Sequence, residues 1–216
     1  MNTPSTTTAD QAYQKLRDLL IDGELRPGQK VAQLKLARRF QCSPAPVVEA
    51  MRRLESEGLL VKQPRKMATV RKLSMADLEG LYMVREGLET VTARLCALRI
   101  SESQIKTLQQ LNKSYEAAMV IRDHSESGRL DITIHKLIAQ AAQCPLLAEE
   151  LDRLLLIECT AGQSSKNSYK QSTRNAHRAL IRAIADRDED SAQYLMKKHI
   201  QSGYQEVLLM MQAGAG

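Results

Sequence analysis

"AQLKLARRFQCSPAPVVEAMRRLESEGLLVKQPRKMATV", residues 32–70, decides the fold. Leu34, Leu36, Ala37 and Phe40 recur at helical spacing, and the break "QCS" follows. Ser43 is a good N-cap for a second helix from Pro44 to about Glu57, and Gly58 ends it. Proline is tolerated in a first helical turn because the N–H it lacks would have had no intrahelical partner. "LLVKQPRKMATVRK" then reads as two short strands around a turn at Gln63 to Lys66, with Val61 and Val70 facing inward. Upstream, "AYQKLRDLLIDGELRPGQKV" places Tyr13, Leu16, Leu20 and Ile21 on one helical face, stops at Gly23 and turns through Pro27-Gly28. Three helices with a tight break between the second and third, then a hairpin, spell a winged helix-turn-helix. An ordinary small helical domain with a basic solvated face is the plainer alternative.

Charge separates this segment from the rest. Residues 1–74 hold 14 Lys/Arg against 7 Asp/Glu, whereas residues 75–216 hold 17 against 18. A basic head, residues 1–74, joined to a near-neutral body, residues 75–216, predicts a polyanion-binding module on a separate domain. The 216 residues include one Phe, six Tyr and no Trp, a composition that favours a mainly α chain. The four cysteines, Cys42, Cys96, Cys144 and Cys159, form no CxxC pair, which argues against a disulfide framework or a thiolate zinc site. The polar N-terminus has no apolar signal core, and no stretch approaches about 18 uncharged apolar residues, so a cytoplasmic protein without a membrane partner is expected.

The body reads as five or six amphipathic helices joined by short loops, an antiparallel bundle. The first opens on Ser74 with Asp77 three residues on and carries a stripe through Leu78, Leu81, Leu88, Val91, Leu95 and Leu98. The next is capped by Ser101. Others run from Ser127 to Ala142, Pro145 to about Thr160, near Ser168 to Ala185, and Asp188 to Met211. The Pro145 helix is apolar on more than one face, which fits either deep core or a dimer contact.

Asp131 and His135 are four apart, so their side chains share a helix face. His177 and His199 are 22 residues apart, about 33 Å along one straight helix. An antiparallel hairpin turning at Asp188, their midpoint, would instead bring them level. One carboxylate and three imidazoles inside a bundle suit Zn²⁺, Ni²⁺, Mn²⁺ or Fe²⁺; satisfied interior histidines are the bland alternative. His124, in the polar turn "RDHSES", reads as a bystander. Arg85 lies on the apolar stripe with Glu89 one turn on. It forms either a structural pair with Glu89 or a clamp for the carboxylate of a small acid.

Tyr13, Leu16, Ile21, Gly23, Leu25, Pro27-Gly28, Leu36-Ala37, Ser43, Pro46-Val47, Glu49-Ala50, Leu54, Glu57-Gly58-Leu59 and Val70 together resemble the GntR family of bacterial transcription regulators over residues 12–70. In that family an arginine usually follows the serine at the helix start and another precedes the Glu-Ala pair. Here those positions hold Pro44 and Val48, while Leu34 and Met67 replace a sometimes basic residue and a wing glycine. Each bidentate arginine supplies about 1–3 kcal/mol of base discrimination, so readout of the usual operator is altered or lost. The remaining DNA-facing candidates are Lys35, Ser43, Arg52, Arg53, Arg65 and Lys66, helped by Arg38, Arg39 and Lys62. Ala45, Pro46 and Val47 are available for thymine methyls at a more A·T-rich site.

"LDITIHKLIAQAAQCPLL" and "NAHRALIRAIADRDEDSAQYLMKKHI" resemble the FCD ligand-binding domain of the FadR branch of that family, in its six-helix subgroup. The resemblance implies a divalent cation on Asp131, His135, His177 and His199 and an organic or sugar acid near Arg85. It also implies a homodimer on a double-stranded operator, usually repressing. The competing reading is a metal- or metabolite-binding protein with degenerate operator recognition. A metalloenzyme ranks below both: no HExxH base is present and it leaves the basic head unexplained, so no catalytic residue is expected.

Overall fold

The computed structural model describes residues 7–162 and 176–213. They fall into two compact units, one with the residues up to Leu73, the other with Ser74–Glu158 and the described residues from 176 onward. The fold is mainly α, with nine helices and one two-stranded sheet among the described residues.

In the first unit, α1 (Thr8–Ile21) starts on a capping box: the Thr7 hydroxyl accepts from the Asp10 amide, and Asp10 accepts from the Thr7 amide. α2 (Gln33–Phe40) ends where Gln41 adopts a left-handed conformation, φ 56°. The Cys42 amide closes onto the Ala37 carbonyl, and Ser43 starts α3 (Pro44–Ser56), so three residues make the turn. Val47, Ala50, Met51 and Leu54 form the buried face of α3, which packs mainly on α1 through Leu16 and Leu20.

The wing is the antiparallel pair β1 (Leu60–Val61) and β2 (Thr69–Val70), in register Leu60 with Val70. Its other edge is covered by the chain before α2: Val31 N–H donates to Ala68 O, and Val70 N–H donates to Gln29 O. This register corrects one expectation. Side chains alternate faces along a strand, so with Leu60 and Val70 inward Val61 points outward, at 45% exposure.

The second unit comprises α4 (Met75–Arg99), α5 (Glu102–Val120), α6 (His124–Ala141), α7 (Pro145–Gly162) as far as Glu158, α8 (Ala176–Ala185) and α9 (Glu189–Ala213). Ser74 with Asp77 and Ser101 with Gln104 form capping boxes at α4 and α5. α6 begins three residues earlier than the periodicity indicates, because the Asp123 carboxylate caps the Glu126 amide; His124 therefore opens a helix rather than lying in a turn. The expected start of α8 near Ser168 lies outside the described residues.

α4 packs chiefly on α9, and α5 on α6. The buried face of α4 keeps Leu78 and Leu81 of the expected stripe and departs from it further along the helix, where Leu88 and Leu95 are half-buried. Leu78, Leu81, Tyr82, Arg85, Glu89, Thr92, Ala93 and Cys96 face inward, whereas Val91 and Leu98 are exposed. The inward line carries the Arg85–Glu89 pair, and Gly203 of α9 lies against the Tyr82 ring. α7 is deep core from Leu154 to Ile157, all four residues buried, while Leu146 is exposed. α8 and α9 form an antiparallel hairpin through Arg187, whose φ is 61°, and Asp188, whose carboxylate caps the Ser191 amide.

Candidate metal centre and nucleic-acid interface

The first unit presents one end of α3, the end of α2 and the wing tip to solvent. Lys35, Ser43, Ala45, Arg52, Arg65 and Lys66 are exposed and Pro46 is half-buried. Ser43 has the extended backbone of an N-cap, but its hydroxyl makes no cap hydrogen bond. The reason is local: a capping hydroxyl bonds the amide of the second or third helical residue, and the third is Pro46, which has none. Of the first four amides of α3, Pro44 and Pro46 remove two and leave those of Ser43 and Ala45.

Two expectations change here. Val47 is fully buried and is not available to a thymine methyl. Arg53, half-exposed, is engaged within the unit: its Nη1 lies 2.7 Å from Asp10 Oδ1 and its guanidinium covers the Tyr13 ring at 3.9 Å. Arg39 is likewise engaged, donating to both oxygens of Glu24. At the wing tip Lys66 N–H donates to Gln63 O, closing a turn in which Pro64 precedes Arg65 at φ 60°. That is the layout of a type II turn, whose third position favours glycine.

In the second unit three helices converge on one interior point. α6 supplies Asp131 and His135 one turn apart, α8 supplies His177 in its first turn, and α9 supplies His199. One ligand atom from each lies within 4.8 Å of all the others. His135 Nε2 and His199 Nε2 are 3.0 Å apart, and Asp131 Oδ1 is 3.1 Å from His177 Nε2. Two donors about 2.1 Å from one ion and at right angles would be separated by about 3.0 Å. The three histidines are buried. His177 Nε2 faces the Asp131 carboxylate and His135 Nε2 faces His199 Nε2, while Nδ1 of His177 and of His199 has no hydrogen-bond partner; a cation at the common point would engage the Nε2 atoms that now face one another. The donor set of three nitrogens and one carboxylate oxygen fits Zn²⁺, Ni²⁺, Mn²⁺ or Fe²⁺.

The electrostatics suit the same group. Burial and the neighbouring imidazoles hold His199 well below its ordinary pKa, and so neutral, as a ligand must be. Burial alone would raise the Asp131 carboxyl, but His177 and His135 hold it below the usual range. His135 is the exception. Burial opposes its charge, yet Glu89 beside Nδ1 keeps it above its ordinary value. Glu89, which burial would raise, is brought down to about 2 by Arg85 and His135.

Glu89 therefore joins the cluster to Arg85. Its Oε2 meets His135 Nδ1, which leaves Nε2 for an ion, and its Oε1 accepts from Arg85 Nε at 2.7 Å. Arg85 Nη1 pairs in turn with Glu158 of α7, and the Tyr82 hydroxyl donates to the same carboxylate. The Arg85–Glu89 pair anticipated from spacing is thus present. Glu158 and Tyr82 were not anticipated: Glu158 follows four apolar residues, a pattern that does not say which way its turn faces.

A winged helix-turn-helix head joined to a helical body defines a class of DNA-binding transcription regulators. Residues 8–70 match the family "Bacterial regulatory proteins, gntR family", and residues 80–202 match the "FCD domain". The chain belongs to the GntR transcription regulators that carry an FCD domain, and it is not an enzyme. It is 27% identical over 203 residues to the HTH-type transcriptional repressor RspR of Escherichia coli K12, covering 92% of this chain and 88% of that one. It is 24% identical over 199 residues to a probable D-xylose utilization operon transcriptional repressor of Paenarthrobacter nicotinovorans, covering 90% and 86%. The solved structure of E. coli McbR/YncC superposes with a TM-score of 0.89 over 95% of this chain and 99% of the other, at 19% identity. No helix among the described residues is long and apolar enough to cross a membrane.

Proposed function

We propose that the chain is a homodimeric repressor whose affinity for a pseudo-palindromic double-stranded operator responds to a small carboxylic acid bound beside a divalent metal. Asp131, His135, His177 and His199 hold the metal, and Arg85 anchors the acid. The observation that carries the reading is the convergence of these four ligands from three helices, with buried imidazole nitrogens facing one point. Relatives named as repressors support repression. Lys35, Ser43, Arg52, Arg65 and Lys66 position the head on phosphates, while Ala45 and Pro46 face base edges. Arg53 contributes by holding α3 against α1.

Dimerisation has its own support. Val84, Val91 and Leu98 of α4 are exposed at seven-residue spacing; Gly80 stands one turn before Val84 and Gly87 between Val84 and Val91, both with open space where a Cβ would project. A helix of a second copy can pack closely on such a line.

The test is fluorescence anisotropy on the DNA flanking the protein's own gene, with metal-loaded protein and a panel of small carboxylic acids. Salt-dependent binding that changes with one acid is expected; binding that ignores salt, or every acid, refutes the reading. Pro44 and Pro46 favour a second reading, a metabolite-binding protein with degenerate operator recognition. Tight binding of a defined operator by the wild type, with no gain from Pro44→Arg and Val48→Arg, excludes it.

A further inference from the structure

We infer that Glu158 is a built-in occupant of the effector's carboxylate seat, and that a small monocarboxylate binds by displacing it. The inference rests on the reading of Arg85 as the effector's anchor. In the structure that anchor is taken. One Glu158 oxygen pairs with Arg85 Nη1 and the other accepts from the Tyr82 hydroxyl, so two donors grip one carboxylate, as they would grip the acid group of a ligand.

Charge decides whether a ligand joins Glu158 or replaces it. With the proposed divalent ion bound, it and Arg85 would bring three positive charges to this region, against three negative ones from Asp131, Glu89 and Glu158. The set is neutral before any ligand arrives. A second carboxylate added to it would leave an uncompensated buried charge, which is costly; a one-for-one exchange leaves none. Of the two acids on Arg85, only Glu158 has an exit. Its side chain is 21% exposed, whereas that of Glu89 is 2% exposed and bonded on both oxygens. The displaced group can take up water at the surface. Glu158 thereby sets the threshold concentration of acid to which the protein responds, and it selects ligands able to satisfy both Arg85 and Tyr82.

The experiment uses Co²⁺-loaded full-length protein and carboxyl-¹³C acetate, whose paramagnetic line broadening reports binding close to the metal. Glu158→Gln keeps the shape and removes the competing charge, and Glu158→Ala empties the seat. Both are expected to lower the apparent Kd for acetate at least tenfold, while Arg85→Gln raises it in wild-type and Glu158→Gln backgrounds alike. If neither Glu158 variant binds acetate more tightly than wild type while Arg85→Gln still weakens binding, displacement is wrong and the anchor stands. If Arg85→Gln has no effect in either background, the anchor reading itself fails.

Discussion

Arg65 occupies a backbone conformation that its side chain does not favour, and replacing it with glycine separates what the position costs from what it does. At φ 60° an L-residue carries a penalty of about 1–2 kcal/mol relative to a right-handed conformation. Glycine removes the penalty but adds about 0.4–1 kcal/mol of unfolded-state freedom, so Arg65→Gly is expected to stabilise the winged unit by about 0.5–1 kcal/mol. Nothing packs against the change, because Arg65 is exposed at the wing tip. If Arg65 meets a phosphate, the same substitution removes one counterion-releasing contact per head. The slope of log K against log salt then becomes shallower by about 0.9 per head, or about 1.8 for a dimer on two half-sites. Urea unfolding of the full chain and anisotropy titrations on its own upstream DNA at four salt concentrations give both numbers. A stability loss would show that the turn does not demand a left-handed residue. An unchanged salt slope would show that the arginine does not reach the backbone.

Metal at about 100 times its dissociation constant should stabilise the folded protein by about 2.7 kcal/mol in thermal melts, a gain that His177→Ala abolishes. A melt indifferent to Zn²⁺, Ni²⁺, Mn²⁺ and Fe²⁺ would discard the centre. Glu89→Ala should weaken metal affinity about 10–100-fold by calorimetry, because it orients His135 without touching the ion; equal affinity would mean that orientation is fixed elsewhere. Val91→Glu places a charge on the exposed line of α4 and should yield monomer by sedimentation velocity, whereas an unaltered dimer moves the contact to another face. Above pH 9 stability should decline. Burial pushes the Cys96 thiol up to about 12, and burial with the Glu57 hydrogen bond does the same for the Tyr13 hydroxyl. Both release protons first in the unfolded chain, so the stability they contribute is complete below their ordinary values and is lost as pH rises toward 12. Cys96→Ala should flatten that decline, and identical alkaline profiles would contradict it.

The helices were legible in the sequence because each carries its own punctuation: Ser74 and Ser101 as caps, Gly58 and Pro27-Gly28 as stops. The histidine cluster was legible for a different reason, since the symmetry of His177 and His199 about Asp188 encodes a hairpin that pattern reading can find. What stayed hidden depended on rotation or register rather than on period. Val91 and Leu98 sit at core-like spacing, yet the helix turns so that Arg85 and Glu89 face inward, where they pair with each other and with Glu158 and His135. Val61 failed by one residue of register. Sequence alone leaves Arg53 among the DNA-facing cations because its partners, Asp10 and Tyr13, lie about forty positions away.

The bare start of α3 and the crowded charge of the wing are two parts of one arrangement. A helix N-terminus binds phosphate through free amides, and Pro44 with Pro46 halves the supply, while the usual arginine positions hold Pro44 and Val48. What the helix offers instead is an apolar tip, Pro44, Ala45 and Pro46, whose contacts with a groove, on the proposed reading, would be steric and methyl-directed. Such contacts supply little attraction at a distance, so on this reading docking is driven by exposed cations elsewhere on the head, Lys35 of α2 and Lys62, Arg65 and Lys66 of the wing. A head built this way should bind with a strong salt dependence and discriminate thymine-rich steps through shape. Arginine at positions 44 and 48 should then broaden recognition toward guanine while leaving the wing's contribution to the salt slope intact.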